Sequence, residues 1–492
     1  MLGQSLPEYI FILCSISLLR LVAPLSFVYL SYCLYTKSIT PWLFLFALLE
    51  ACFYLFVYRP RRTVLQKSTY TPPPLTRAQR HALFLQCSKR IAGSRYPLGW
   101  FTSPNVKRQN VVEWILWALF SATPETAQES WKEEMEEYVD KVEELLGMKL
   151  EQGRVHTTSA LRLTLDPVKM VHRPLIWYLV VAVVDLITSL KLHLMGFHHY
   201  SSNPSRIFPP RLFHIFTTPS PSATPHFSYW YFPHKAPTRD PIIFIHGIGI
   251  GLYPYLPFFQ DLITTTPDQG LLLIELLPIS MHISSPPANS IPPRESLLHG
   301  LYTTLHSLGI SRAVLATRPT PTPTLTPTPT PPHITSHLLI DPIPFLLHLP
   351  SVAFNFLYRP PRPRAANEWQ LWYFASRDPD IAHVLGRCFF WTENVLWRED
   401  LGLGLGSGSD SDSDSGMVKY AIVLSGKDQI VPAPLVRRYL TGEDEVQQRW
   451  ESNNRRLEVL YHPELDHATV FDTKERRRGM VEVLGRFSVS AK

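Results

Sequence analysis

The chain has 492 residues, 45 % of them hydrophobic, and a formal net charge of +6. That length suits two or three domains with a large core, and the basic residues are scattered rather than striped between aromatics, which argues against nucleic acid as a partner. Its 46 prolines are nearly twice the usual share of roughly 5 %, and its five cysteines show no metal-ligand or disulfide spacing, so a reducing, cytosol-facing setting fits best.

Two apolar runs open the chain. Residues 9–35 are long enough to cross a bilayer, which takes about 20 apolar residues, although Arg20 and Pro24 interrupt them. No basic start or small-residue cleavage site marks this run as a removed signal peptide. Residues 41–58 carry Glu50 as their only charge, and Arg59, Arg61, Arg62 and Lys67 follow. By the positive-inside rule that flank is cytosolic. The expectation is a membrane anchor over 1–62: a hairpin of two spans, with the bulk of the chain facing the cytosol from an endomembrane such as the endoplasmic reticulum. The alternative is two buried helices of a soluble domain. A third apolar run, 174–197, contains Asp185, Lys191 and His193. It is expected to pack on the domain or to lie in the membrane interface.

Residues 63–205 read as a helical accessory region. Within it, Thr123 can cap a helix with Pro124 in its first turn. Trp131, Met135, Tyr138, Val142, Leu145 and Leu146 recur at helical spacing, and Gly147 can end the helix. Glu133, Glu134, Glu136 and Glu137 are expected to form its solvated face. After a Ser/Thr/Pro loop at 217–225 the pattern changes to short apolar runs separated by loops and helices, as in a parallel α/β sheet. Strands are expected at 241–245, 271–277, 312–316, 418–424 and 457–461, with a helix at 294–308.

The first of these strands runs into His246, Gly247, Ile248 and Gly249. This stretch resembles the HG loop of α/β-hydrolases, and the resemblance extends over about 227–487. It implies an α/β-hydrolase fold for 206–492: a mostly parallel sheet with a helical lid at about 342–400. It also implies that Ile248 or Gly249 donates a backbone N–H to an oxyanion. In that family the strand at 312–316 leads into a G-x-S-x-G turn bearing the nucleophile. Here Thr317, Arg318, Pro319, Thr320 and Pro321 follow, with no serine and no glycine, and proline forbids the strained turn. The Thr/Pro repeat at 319–332 reads as a polyproline or disordered spacer. Ser307 ends a helix and Ser336 has no glycine neighbours, so neither replaces the nucleophile. The segment 333–336 is expected to close the elbow helix before the next strand.

The other two members of the triad have counterparts. Asp428, in the loop after the strand at 418–424, matches the acid, and the family order implies that it orients a histidine. A loop aspartate capping a helix is the alternative reading. His467, after the last strand, matches the base, with His462 a weaker competitor at the strand end. The lid is rich in Phe, Trp, Tyr and Leu, and its "ANEWQLWYFASRDPDIAH" segment is similar to that of fungal-type membrane-anchored α/β-hydrolase proteins. An apolar lid on an anchored chain implies membrane lipid as a partner and a lipid-like or other small-molecule ester as substrate. It equally suits ordinary helix packing. The linker at 402–416 reads as flexible and acidic. No cofactor and no metal site is expected.

Two functions fit: a serine esterase or lipase whose nucleophile is missing from this sequence, or a catalytically inactive relative that binds lipid or acts as a scaffold at a membrane. An acyltransferase of the same fold needs the same serine.

Overall fold

The computed structural model describes residues 3–68, 71–89, 96–202, 207–284, 293–318, 334–401 and 418–489. The Thr/Pro spacer and the acidic linker lie outside the described residues.

Helix α1 (Leu6–Thr36) begins with a reciprocal Ser5–Glu8 capping box and contains Pro24. Helix α2 (Pro41–Cys52) continues through a π turn (Phe53–Tyr58) into α3 (Arg59–Val64). Both rods are long and apolar enough to cross a membrane, and so is the helix at Leu175–Leu194. Glu50, the lone charge of the second run, is fully buried. One carboxylate oxygen meets His172 Nε2 at 2.8 Å; the other accepts the Leu175 N–H at 2.8 Å, capping the start of the third apolar helix.

The accessory region holds α4 (Arg77–Ser88), α5 (Arg108–Phe120) and α6 (Lys132–Leu146). The helix expected from Thr123 is broken. Thr123 and Pro124 start only a 3₁₀ turn (Pro124–Thr126), a second turn follows at Glu129–Trp131, and α6 begins afterwards. The bend places the Trp131 ring 4.8 Å from that of Phe120, so tertiary packing overrides the local start signal. Gly147 ends α6 with φ 65°. The solvated-face reading fails at Glu134, which is buried. It takes the Arg80 guanidinium at 2.6 and 2.9 Å and the Tyr138 hydroxyl at 2.8 Å. Burying one carboxylate is tolerable here because a charged fork meets both of its oxygens.

Helix α7 (Leu175–Leu194) is two-sided. Tyr178, Val181, Ala182 and Leu192 are buried, while Ile176, Leu179, Val183, Ile187, Leu190 and Leu194 form an exposed apolar stripe. Its inner face carries Asp185, 3.2 Å from Arg211. Arg211 bonds both oxygens of Glu275, at 3.0 and 3.2 Å.

The twelve strands of the described residues are β1 (His198–Ser201), β2 (Ile207–Phe208), β3 (Ser220–Pro221), β4 (Ser228–Phe232), β5 (Ile242–Ile245), β6 (Leu271–Glu275), β7 (Ile283–Ser284), β8 (Ala313–Thr317), β9 (Ile334–Ile340), β10 (Lys419–Ser425), β11 (Arg449–Glu451) and β12 (Leu457–His462). Ten form one sheet in the order β11-β12-β10-β9-β8-β5-β6-β4-β1-β3, and β2 pairs with β7. From β12 to β6 every pair is parallel, while β4 runs antiparallel to both β6 and β1. This is the α/β-hydrolase arrangement, with each parallel strand ending at the same edge. The central strands are buried on both faces, which is why they read as unbroken Val/Ile/Leu runs rather than alternating ones. Helices α8 (Leu256–Thr265) and α9 (Arg294–Ser307) cross between strands.

Strand β9 corrects one expectation. Residues 334–336 are strand, not the end of an elbow helix: Ala313 pairs with Ile334 and, past a bulge, Val314 with Ser336. Among the described residues no helix lies between β8 and β9.

Four short helices, α10 (Ser351–Ala353), α11 (Ala366–Leu371), α12 (Pro379–His383) and α13 (Trp391–Asn394), form the lid, and π turns follow the first three. Lid, accessory helices and sheet share one apolar cluster that includes Trp114, Val139, Ile381, Leu385, Ile422 and Leu424. Helices α14 (Ala433–Thr441) and α15 (Lys474–Phe487) complete the domain.

Candidate active site

The site lies at the C-terminal edge of the sheet. Strand β10 ends at Ser425 and turns through Gly426. A Cβ at Gly426 would sit 2.6 Å from the Pro463 carbonyl oxygen and 2.8 Å from the Tyr461 hydroxyl, so only glycine lets the loops after β10 and β12 lie together. Asp428 follows. Its Oδ1 accepts the N–H groups of Ile430 (2.7 Å) and Val431 (2.9 Å), and its Oδ2 lies 2.6 Å from His467 Nδ1. Asp428 does not cap a helix, since α14 starts after Pro432; one of its oxygens closes the loop on Ile430 and Val431 and the other meets the histidine. With Nδ1 held by the carboxylate, the imidazole is fixed in one orientation. The side chain of His467 lines the cavity described below. His462 stays at the end of β12, where its carbonyl accepts the Gly426 N–H.

Sequence reasoning missed a third carboxylate. Asp341, directly after β9, is fully buried with φ 47°. It accepts the Ser425 N–H and the Ala468 N–H, each at 2.9 Å. It thus ties β9 to the acid loop and the histidine loop. Burial, followed by the nearby Asp428 charge, raises its pKa, and His467 opposes the shift. The donor atoms of Asp341, Asp428 and His467 lie within 4.8 Å of one another. Backbone N–H groups and the Asp–His contact already engage them, so the cluster is a hydrogen-bonded unit. The sequence signal was a lone Asp-Pro at a strand end, which reads as a turn.

Asp466 was missed as well. It accepts N–H groups from Gln429 (3.1 Å) and His467 (2.7 Å), and the Asn367 amide of the lid at 2.6 Å. Asn355 and Arg359 of the lid bond the Ile430 and Gln429 carbonyls, each at 3.0 Å. The lid thereby clamps the acid loop.

Past β5, His246 is buried. Its Nδ1 lies 2.8 Å from the Gly247 carbonyl, and its Nε2 accepts the Leu276 N–H at 3.0 Å. Burial lowers its pKa, keeping the ring neutral as this pairing requires. The Gly249 N–H donates to the Ile279 carbonyl at 3.0 Å, whereas the Ile248 N–H has no hydrogen bond among the described residues. Of the two candidate oxyanion donors, Ile248 is the one with a donor to offer. Gly251, with φ 70°, gives the loop its left-handed turn.

At the end of β8, Arg318 is buried at 8 % exposure and donates to the Tyr255 hydroxyl at 2.7 Å. Residues 319–333, where the family places its nucleophile, lie outside the described residues, and their sequence holds neither serine nor cysteine.

These groups border one cavity of about 860 Å³, within the range of small-molecule sites. Its polar end has Ile248, Gly249, Tyr255, Arg318 and His467; its body has Trp100, Trp117, Phe356, Phe374, Leu385 and Phe389. At the far side it meets Phe11, Ile12, Ser15, Leu18 and Leu19 of α1, and Trp177 and Val180 of α7. Phe11 and Leu18 are 63 % and 68 % exposed, so this wall is also part of the apolar outer surface. The lining hydroxyls of Ser15, Ser121, Thr164 and Thr392 all stand on elements other than the nucleophile strand.

No family model and no curated protein matches the chain. Solved structures similar to it include a bacterial membrane phospholipase A described as a virulence factor (12 % identity, 64 % of this chain and 94 % of that one, TM-score 0.37). Others are a carboxyl esterase of the mycorrhizal fungus Tuber melanosporum (15 %, 54 % and 83 %, TM-score 0.32) and an α/β hydrolase enzyme from a deep-sea metagenome library (14 %, 54 % and 96 %, TM-score 0.35). With TM-scores below 0.5 the likeness carries no argument of its own. The strand order of the sheet carries the assignment: the chain has an α/β-hydrolase fold.

Proposed function

We propose that the protein is a membrane-anchored member of the α/β-hydrolase fold, of esterase or lipase ancestry, that takes the acyl chain of a lipid into its cavity and holds it without cleaving it. The observation that carries this reading is a single apolar cavity running from His467 to the outer face of α1. A ligand that dissolves in the bilayer can enter such a cavity from the side. On this reading α1 and α2–α3 span an endomembrane, the exposed stripe of α7 rests in lipid, and the bulk of the chain faces the cytosol. The parts are then an anchor at 1–62, an accessory region at 63–205 and the α/β unit at 206–492. The resemblance of the 366–383 lid segment to fungal-type membrane-anchored hydrolases agrees with it.

Acyl transfer needs a nucleophile held at a strained turn beside His467, and the sequence after β8 puts proline where the family has its serine, among threonines of a proline repeat that does not suit that turn. The position after the nucleophile, which would give the second oxyanion donor, is lost with it. The intact Asp428–His467 pair favours a second reading, a working ester hydrolase with a nucleophile from elsewhere in the cavity.

The test is to purify the full chain in mild detergent, extract it with organic solvent and identify the lipids by mass spectrometry. The same sample is assayed on p-nitrophenyl esters of two to sixteen carbons. Stoichiometric lipid with ester turnover at the buffer rate supports binding. Turnover that is lost in His467→Ala supports the hydrolase.

A further inference from the structure

We propose that Arg318 makes the polar end of the cavity an anion seat, so that the preferred ligand is a single-chain amphiphile with an anionic head rather than a neutral ester. This rests on the lipid-binding reading and adds the chemistry of the head group.

Arg318 sits one residue past the end of β8, its side chain lines the cavity, and it is more than nine-tenths buried. A buried guanidinium is expensive without an opposite charge. Among the described residues no carboxylate pairs with it: Nη1 donates to the neutral Tyr255 hydroxyl, and Nε has no hydrogen-bond partner. Asp472 also borders the cavity but is paired with Arg476 at 3.9 Å. The Asp428 carboxylate is engaged by His467 and two backbone N–H groups.

The donors around Arg318 converge. Tyr255 Oη accepts from Arg318 and from the Gly247 N–H, at 3.4 Å, so its own proton is available to give. Among the described residues the Ile248 N–H is unengaged, and Ile248 lines the same end of the cavity. Guanidinium, phenol and backbone N–H together suit a carboxylate or phosphate, whose oxygens accept several hydrogen bonds at once. The apolar body of the cavity suits one aliphatic chain. A fatty acid and a lysophosphatidic acid share this chemistry. A neutral ester offers no charge to offset Arg318.

The experiment measures binding of palmitic acid, lysophosphatidic acid, hexadecanol and methyl palmitate to the full chain in detergent, by displacement of a fluorescent fatty-acid analogue. The expected result is that at least one anionic ligand binds tenfold or more tighter than both neutral ones. Palmitic acid ahead of lysophosphatidic acid points to a carboxylate seat; the reverse points to a phosphate seat. In Arg318→Met the anionic preference should vanish while hexadecanol binding stays within twofold, and Arg318→Lys should restore part of it. If hexadecanol binds as well as the acids in the unaltered protein, the anion seat is wrong while the lipid-binding reading stands. If no ligand binds, both are wrong. A preference that persists in a folded Arg318→Met also overturns the proposal. The comparison in the unaltered protein decides the matter even if that variant does not fold.

Discussion

Replacing Arg211 by methionine tests the packing of α7 on the sheet. Arg211 bridges Asp185 on α7 and Glu275 at the end of β6, with side-chain exposures of 3 % for Arg211, 12 % for Asp185 and 9 % for Glu275. Around it, His199 Nε2 lies 3.3 Å from Glu275, and Trp230 Nε1 donates to Glu275 at 3.2 Å. Despite the cost of burial, the Arg211 charge, with His199 beside it, holds the Glu275 carboxyl far below the usual range. Arg211→Met removes the cation and leaves the buried Glu275 and the half-buried Asp185 without their shared counter-charge. Breaking a buried pair from one side costs about 3–5 kcal/mol. At this domain size, roughly 2 °C of Tm follows each kcal/mol, so thermal unfolding in detergent should drop by roughly 6–10 °C. The triple variant Asp185→Asn, Arg211→Met, Glu275→Gln leaves no unmatched charge and should recover at least half of the loss. A drop under 2 °C in the single variant, or no recovery in the triple, would refute the reasoning that the cation is what keeps these acids buried.

Other outcomes follow from the same geometry. Gly426→Ala places a Cβ against the Pro463 backbone and should cost about 1–3 kcal/mol by overpacking, read as a lower urea midpoint with unchanged slope. His214 is pushed down to about 4 by burial and by its neighbours His199 and Arg211. The unfolded chain then takes up a proton from about pH 6.5 downward before the folded one does, so this histidine removes stability as pH falls from 6.5 towards 4. In His214→Phe the loss of Tm between pH 7 and 5 should be smaller than in the unaltered protein; equal slopes would contradict it.

Much of the fold was legible because each central strand is a short, doubly buried apolar run bounded by turn residues, and such runs fall within a residue or two of β5, β8, β10 and β12. Asp428 and His467 were legible for a related reason: each follows a strand whose end the sequence marks. Asp341 was not, because its role comes from strands β9 and β10 lying side by side, which local spacing does not encode. Arg318 drew no attention, since a single arginine before a Thr/Pro run looks like a surface charge until the sheet buries it. Glu134 was misread for the opposite reason. Its helix is amphipathic, but Arg80, 54 residues away, makes one position of the polar face an interior one.

The central claim, a lipid cavity with an Asp428–His467 pair and no nucleophile, is tested most directly by a fluorophosphonate probe, which reacts with activated serines. The full chain is incubated with the probe, digested, and searched for modified peptides by mass spectrometry, with heat-treated protein as control. The account predicts labelling no higher than the control while the extracted lipid remains stoichiometric. A modified serine or threonine on a cavity wall, dependent on His467, would contradict it and make the protein a hydrolase.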